Sequence, residues 1–193
     1  VISGEGWIKM GLYNFNREKL NIPGLIGGLM VIYLVLFMEP WWVLRAVGED
    51  PSFYAYISPF KIDIGIMGRT VDIPLLKYVV ISGLLTYLWI GITSVIASLF
   101  PSRNFSRPLL GFRALIITLS IFITLYIGLR VARNYVDVTL PLIGTETLVM
   151  TIPYQDANIV ITTPVEAYLT QAYYLMLVAS ILIAIGKIII WRK

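Results

Sequence analysis

The chain has 193 residues, of which 58% are hydrophobic and 13% charged, with a formal net charge of +4 and neither cysteine nor histidine. So apolar a balance departs from that of soluble domains and makes lipid the expected solvent for most of the chain. The missing residue types exclude disulfides, thiolate nucleophiles, imidazole bases, histidine-held haem and the usual zinc sites. The absence of cysteine, with many isoleucines and few glutamines, also fits a protein from a hot environment.

Residues 1–21 lack the long apolar core and small-residue cleavage site of a signal peptide. Ile8, Leu12 and Phe15 share a helical face, beside Lys9, Arg17 and Lys19. That pattern suits either a short helix lying on anionic lipid or a disordered tail. Four uncharged runs follow, Ile22–Met38, Tyr78–Phe100, Ala114–Leu129 and Ala167–Gly186. Each approaches the ~20 residues that cross about 30 Å of hydrocarbon. They predict transmembrane helices over 22–43, 74–100, 112–133 and 165–190, with Arg113, Arg130 or Arg133, and Lys187 reaching to the headgroups.

Between the helices, charge alternates. The N-terminal segment, the 101–111 loop with its flanking Arg113, and the C-terminal end from Lys187 through 191–193 hold nine of the 15 basic residues and two of the 11 acidic ones. The positive-inside rule therefore predicts a multi-pass protein of the cell membrane with both termini cytoplasmic. The segments 44–73 and 134–164 then lie outside. In the first, Ile62, Ile64 and Ile66 alternate with polar residues, a turn is expected at Met67-Gly68-Arg69, and Phe53–Ile57 supplies another strand. In the second, VDVTLPLI, TLVMTIP and IVITTP read as three strands, separated by turns at Gly144-Thr145-Glu146 and around Gln155–Asn158. Since an isolated hairpin is marginal in water, both segments are expected to share one sheet of five or six strands. The predicted fold is thus membrane α+β: an antiparallel bundle of four transmembrane helices under an extracytoplasmic antiparallel sheet made from the two outer loops.

Four helices with both ends inside, a short inner loop and strands from two outer segments resemble the claudin-type tetraspan membrane proteins. The resemblance covers most of the chain as topology. The Gly-Leu-Trp signature and cysteine pair of that family are absent here, so no functional residue is carried over.

The candidate functional residues fall into three groups. Trp41 and Trp42, after Glu39-Pro40, read as interfacial anchors, because the amphipathic indole favours that depth. Glu39, Lys77, Arg130, Arg133 and Glu166 fall at one predicted level and suggest an interfacial ion-pair layer, or else an ion or substrate path. Phe53, Tyr54, Tyr56, Phe60 and Tyr154 give the outer segments an aromatic surface suited to a protein partner, or alternatively line the sheet's inner face. Small residues recur at helical spacing: Gly24 and Gly28; Ser94 and Ser98; Ser120, Thr124, Gly128 and Ala132; Ala172, Ala179 and Gly186. They predict close packing within the bundle or a seam between copies.

No Walker loop, dinucleotide fingerprint, nucleophile elbow or zinc motif occurs, and no carboxylate pair stands out. The expectation is a non-enzymatic protein without a cofactor, acting as a scaffold or accessory subunit through its outer sheet. Its expected partners are membrane lipids and another membrane or envelope protein, or further copies of itself; three arginines in the inner loop are too few for a nucleic-acid site. The alternative is an oligomeric channel or transport component with its pore between protomers.

Overall fold

The computed structural model describes residues 20–48, 53–66, 68–101, 104, 106–136, 140–154 and 157–191. The expected N-terminal interfacial helix lies outside them. The elements run α1 (Ile22–Phe37), β1 (Trp42–Ala46), β2 (Phe53–Ser58), β3 (Lys61–Ile66), β4 (Arg69–Thr70), α2 (Pro74–Leu99), α3 (Ser106–Leu109), α4 (Arg113–Val136), β5 (Gly144–Tyr154), β6 (Ala157–Leu169) and α5 (Gln171–Trp191).

Three helices are long and apolar enough to cross a membrane, over Pro74–Leu99, Arg113–Val131 and Gln171–Ile190. The first apolar run corrects the expected bundle of four spans, because α1 has only 16 residues. At 1.5 Å per residue it covers about 24 Å, short of the ~30 Å hydrocarbon thickness. Pro23 is accommodated in its first turn, where no N–H is required. Met38 ends the helix in the left-handed conformation, at φ 49°, its N–H still bonded to the Leu34 carbonyl. Pro40 then prevents continuation, since it cannot donate to a helical carbonyl and disfavours the α conformation in the residue before it. Residues that looked like the last turn of a span are instead the start of a strand.

That strand joins the two outer segments. The single six-stranded sheet has the order β4-β3-β2-β1-β6-β5, and every pairing is antiparallel. The expected common sheet forms, and its junction is the pairing of β1 with β6 from Trp42↔Leu169 to Ala46↔Val165. Among its described residues the second segment contributes two long strands, and residues 137–139 of the first expected strand lie outside them. Gly144, expected in a turn, opens β5 at φ 112°, a backbone conformation open to glycine, and pairs with Ala167. β6 continues to Leu169, so α5 begins six residues later than the predicted span.

The helices pack by removing side chains. α1 lies between α2 and α5, and its glycines face both. A Cβ on Gly27 would stand 2.7 Å from the Ala179 carbonyl oxygen of α5, and one on Gly28 3.0 Å from the Gly91 carbonyl oxygen of α2. Gly186 meets Gly24 in the same way, with 2.9 Å between its would-be Cβ and the Gly24 Cα. Buried Asn21 ties this end together, its Nδ2 donating to the Gly186 carbonyl at 3.0 Å and its N–H to the Ser98 carbonyl at 3.1 Å. Close backbone approach is the main source of cohesion between helices in lipid, where no hydrophobic force separates them from solvent. α4 stands further out. It joins through buried Thr118, whose hydroxyl meets Tyr87 Oη at 3.0 Å and Ser180 Oγ at 3.3 Å. Its Ser120, Thr124 and Gly128 face away, and a Cβ on Gly128 would meet nothing within 4 Å. The small residues of α1, α2 and α5 therefore pack internally, whereas the α4 stripe does not.

Candidate interaction surface

Alternation along β1 assigns its side chains to two faces. Trp42 and Leu44 point to the inner face, where they are buried with Ala55, Val165 and Ala167 beneath Leu125 and Leu129 of α4 and Leu140 and Leu142 of the following loop. The Trp42 Nε1–H donates to the Leu142 carbonyl at 2.7 Å, satisfying the one polar atom this ring buries. Trp41, just before the strand, occupies the joint between sheet and bundle. Its ring makes edge contacts with Phe60, Tyr87 and Tyr173 at centroid distances of 5.6, 5.6 and 5.9 Å. Both tryptophans are 2% exposed. This corrects their reading as interfacial anchors, which requires rings in contact with headgroups; burial in protein gained more apolar contact than an exposed position would.

The opposite face of the sheet carries the polar and aromatic side chains. Register places Gly65, Tyr54, Arg45, Glu166 and Thr145 in one row across the strands, and Asp63, Tyr56, Val43 and Tyr168 in the next. Directly opposed residues of antiparallel strands project to the same side, so these rows form one surface. Tyr54 and Tyr56 stack with centroids 5.1 Å apart and planes inclined by 27°. Gly65 makes room for this: a Cβ there would lie 2.2 Å from the Tyr54 ring. At the centre, Arg45 Nε donates to Glu166 Oε1 at 2.5 Å, and the guanidinium carbon sits 5.9 Å from the Tyr168 ring centre. Glu166 raises the Arg45 pKa, first by accepting this hydrogen bond and then by its charge. The pair is solvent-exposed, and its effect is to orient the guanidinium between tyrosines rather than to stabilise the fold.

Tyr54 has a pKa above the ordinary phenol value because burial disfavours the phenolate, with the negative charge of Asp63 as the next cause. A group whose folded pKa is raised contributes stability that is full below the unfolded value and lost as pH climbs through the folded one. The difference in tyrosinate absorbance between the wild-type chain and Tyr54→Phe should therefore show one phenol ionising above the ~10 of free tyrosine. A difference curve centred at or below the free value would contradict this surface.

The expected site residues are thus dispersed. Tyr54 and Tyr56 lie on the outer surface; Phe53 is half-buried on the inner face, and Phe60 is buried in the aromatic joint. Tyr154 ends β5, and its side chain lies outside the described residues. The single layer of charges does not form among the described residues. Lys77 pairs with Asp72 at 2.9 Å instead of Glu39, Glu166 pairs with Arg45, and Arg130 sits over the Tyr126 ring at 5.1 Å. Glu39 is exposed and Arg133 belongs to α4, its side chain lying outside the described residues. Separation has a simple cause. The early end of α1 turned the chain at Glu39, and Asp72, only five positions before Lys77, was the nearer acid.

Arg45, Tyr168, Asp63 and Gly65 were not singled out from the sequence. The alternation of Val43 and Arg45 with buried neighbours was the available signal, hidden because Trp42–Ala46 followed an apolar run without an obvious break. No protein-family model matches this chain, and no curated protein matches its sequence. These comparisons neither support nor oppose the claudin-type resemblance, whose four-span layout α1, at 16 residues, does not match.

Proposed function

We propose that this chain is a non-enzymatic integral membrane protein that serves as a scaffold or accessory subunit, binding another membrane or envelope protein through the outer face of its sheet. The observation that carries this reading is the surface made by Tyr54, Tyr56 and Tyr168 around the oriented Arg45. Tyrosine and arginine are enriched at protein interfaces because each offers a large, semi-rigid contact area with a polar end. A sheet holds such groups in fixed rows, so little ordering entropy is lost on binding.

The positive-inside count favours a cell membrane with the 101–111 loop on the cytoplasmic side and the sheet outside. Asn21, Ser98 and Gly186 meet at one end of the bundle, which supports the reading that the described ends of the chain and that loop share one side.

The test is gentle extraction from native membranes followed by determination of the complex composition. A stoichiometric second subunit is expected. Combined Tyr54→Ala and Tyr168→Ala should weaken its retention by about 30-fold or more, as loss of interface hot spots does, while the thermal midpoint of the isolated chain stays nearly unchanged. Retention of the partner at wild-type levels by this folded variant would rule the surface out.

A second reading, a homo-oligomeric channel or transport component, draws on the outward Ser120, Thr124 and Gly128 of α4. It predicts a pure multimer of this chain that conducts ions in liposomes and is dispersed by Gly128→Leu.

A further inference from the structure

The end of the bundle away from the sheet holds a cavity of about 190 Å³ between α2, α4 and α5. Its walls are mainly apolar, with Trp89, Ile90, Ile117 and Ile183 among them, and Gly111 and Arg113 also line it. Two features set it apart from a packing defect. Ser94 lines it with a hydroxyl that is buried and has no hydrogen-bond partner, although neighbouring Thr93 bonds back to the Trp89 carbonyl. An orphaned buried hydroxyl costs free energy unless a hydrogen-bonding group meets it. The second feature is charge. The Lys187 Nζ lies 3.8 Å from where a Gly111 Cβ would be, and the Cγ of Arg113, which carries its guanidinium further along the side chain, stands 3.9 Å from the same point. Neither cation forms an ion pair among the described residues. The sequence supplies no acid in 101–113 or 187–193, and the two acids of the N-terminal segment, Glu5 and Glu18, lie outside the described residues. Arg113 also begins a 24-residue helix, so the positive end of its dipole points to the same spot.

We propose that this is a binding site for one anionic phospholipid, its phosphate held between Arg113 and Lys187 and the first part of an acyl chain entering the cavity past Ser94. Such a lipid supplies at once a negative charge for two cations that have no ion-pair partner among the described residues, an ester oxygen to accept from the hydroxyl, and apolar volume for a gap that α4 leaves by standing away from α2. Basic pockets between helices at the cytoplasmic end are where headgroups of this kind are recognised. The inference rests on the helices lying in a bilayer; it is independent of what the sheet binds.

The test is native mass spectrometry of the full chain in detergent, titrated with equal amounts of phosphatidylglycerol and phosphatidylcholine. One phosphatidylglycerol per chain should be retained preferentially. The double substitution Arg113→Gln and Lys187→Gln should weaken that adduct roughly 25-fold, each cation near a membrane surface contributing about a factor of five. Arg130→Gln, at the far end of α4, should leave it unchanged. Gly111→Leu offers a second test, because a Cβ there makes only ordinary contacts and the larger side chain would occupy the mouth. Equal retention of both lipids by the wild-type chain overturns the proposal whether or not the variants fold, as does an unaltered adduct in the double variant. Inorganic phosphate binding at these cations without lipid preference would replace the lipid by a free anion. Release of the chain from membranes by alkaline carbonate would overturn the membrane reading itself, an outcome distinct from loss of lipid selectivity.

Discussion

Trp42→Ala should destabilise the protein by about 3–5 kcal/mol, the usual cost of truncating a fully buried aromatic side chain. The ring is the largest side chain in the inner core of the sheet and touches elements from both outer segments. Its removal leaves a void beneath Leu125 and Leu129 and takes away the donor to the Leu142 carbonyl. Because β1 is the strand through which β6 and β5 are attached to β2 and β3, the damage should spread across the sheet. Thermal unfolding in detergent should show a lower midpoint, and residues 140–169 should become accessible to protease before the helices do. An interfacial anchor would behave differently: its loss would change membrane depth and leave the sheet resistant. Protease resistance at the wild-type level would therefore restore the anchor reading and discard the core role.

Gly27→Ala should destabilise the protein and Gly128→Ala should not, although both add one methyl group to an apolar helix. At Gly27 the new carbon would lie 2.7 Å from a backbone oxygen and 3.0 Å from a backbone nitrogen of α5. Neither atom can rotate away, so α5 must separate from α1. Overpacking of this kind costs about 1–3 kcal/mol, and Gly27→Leu should exceed that and detach α1. At Gly128 there is open space, so alanine should be neutral or should stabilise the helix by about 0.5–1 kcal/mol through reduced backbone entropy in the unfolded chain. Unfolding of the two variants under identical detergent conditions checks the pair. Equal effects would mean that α1 is not held by glycine-mediated contact. A large loss at Gly128 alone would instead mark the outward stripe of α4 as an interface between copies.

The two experiments also separate what periodicity and composition can report from what they cannot. Runs such as Tyr78–Phe100 are apolar all round, which fixes a lipid-facing helix without reference to any other part of the chain. Strict alternation over Lys61–Ile66 likewise fixes a strand, since only a two-residue repeat places Ile62, Ile64 and Ile66 on one side. The outer surface was legible in part. Tyr54 and Tyr56 were visible as aromatic residues in a strand, but their partners Arg45, Glu166 and Tyr168 come from positions up to about 110 residues away in the sequence, brought together by register alone.

By itself, then, the sequence determined the long apolar helices, the strand-forming character of both outer segments, and the chemistry that a chain without cysteine or histidine forgoes. These follow from local pattern and residue type, each set within a few turns of chain. Tertiary structure decided where the first helix stops, that Trp42–Ala46 becomes the seam of the sheet, which tryptophans are buried, and that Arg113 and Lys187 converge beside one cavity. An apolar segment such as Ile22–Ala46 is compatible with a long helix or with a short helix and a strand. Local propensity differs between them by little, and the choice falls to the hydrogen bonds and buried surface that β1 gains from β2 and β6, partners that no local window contains.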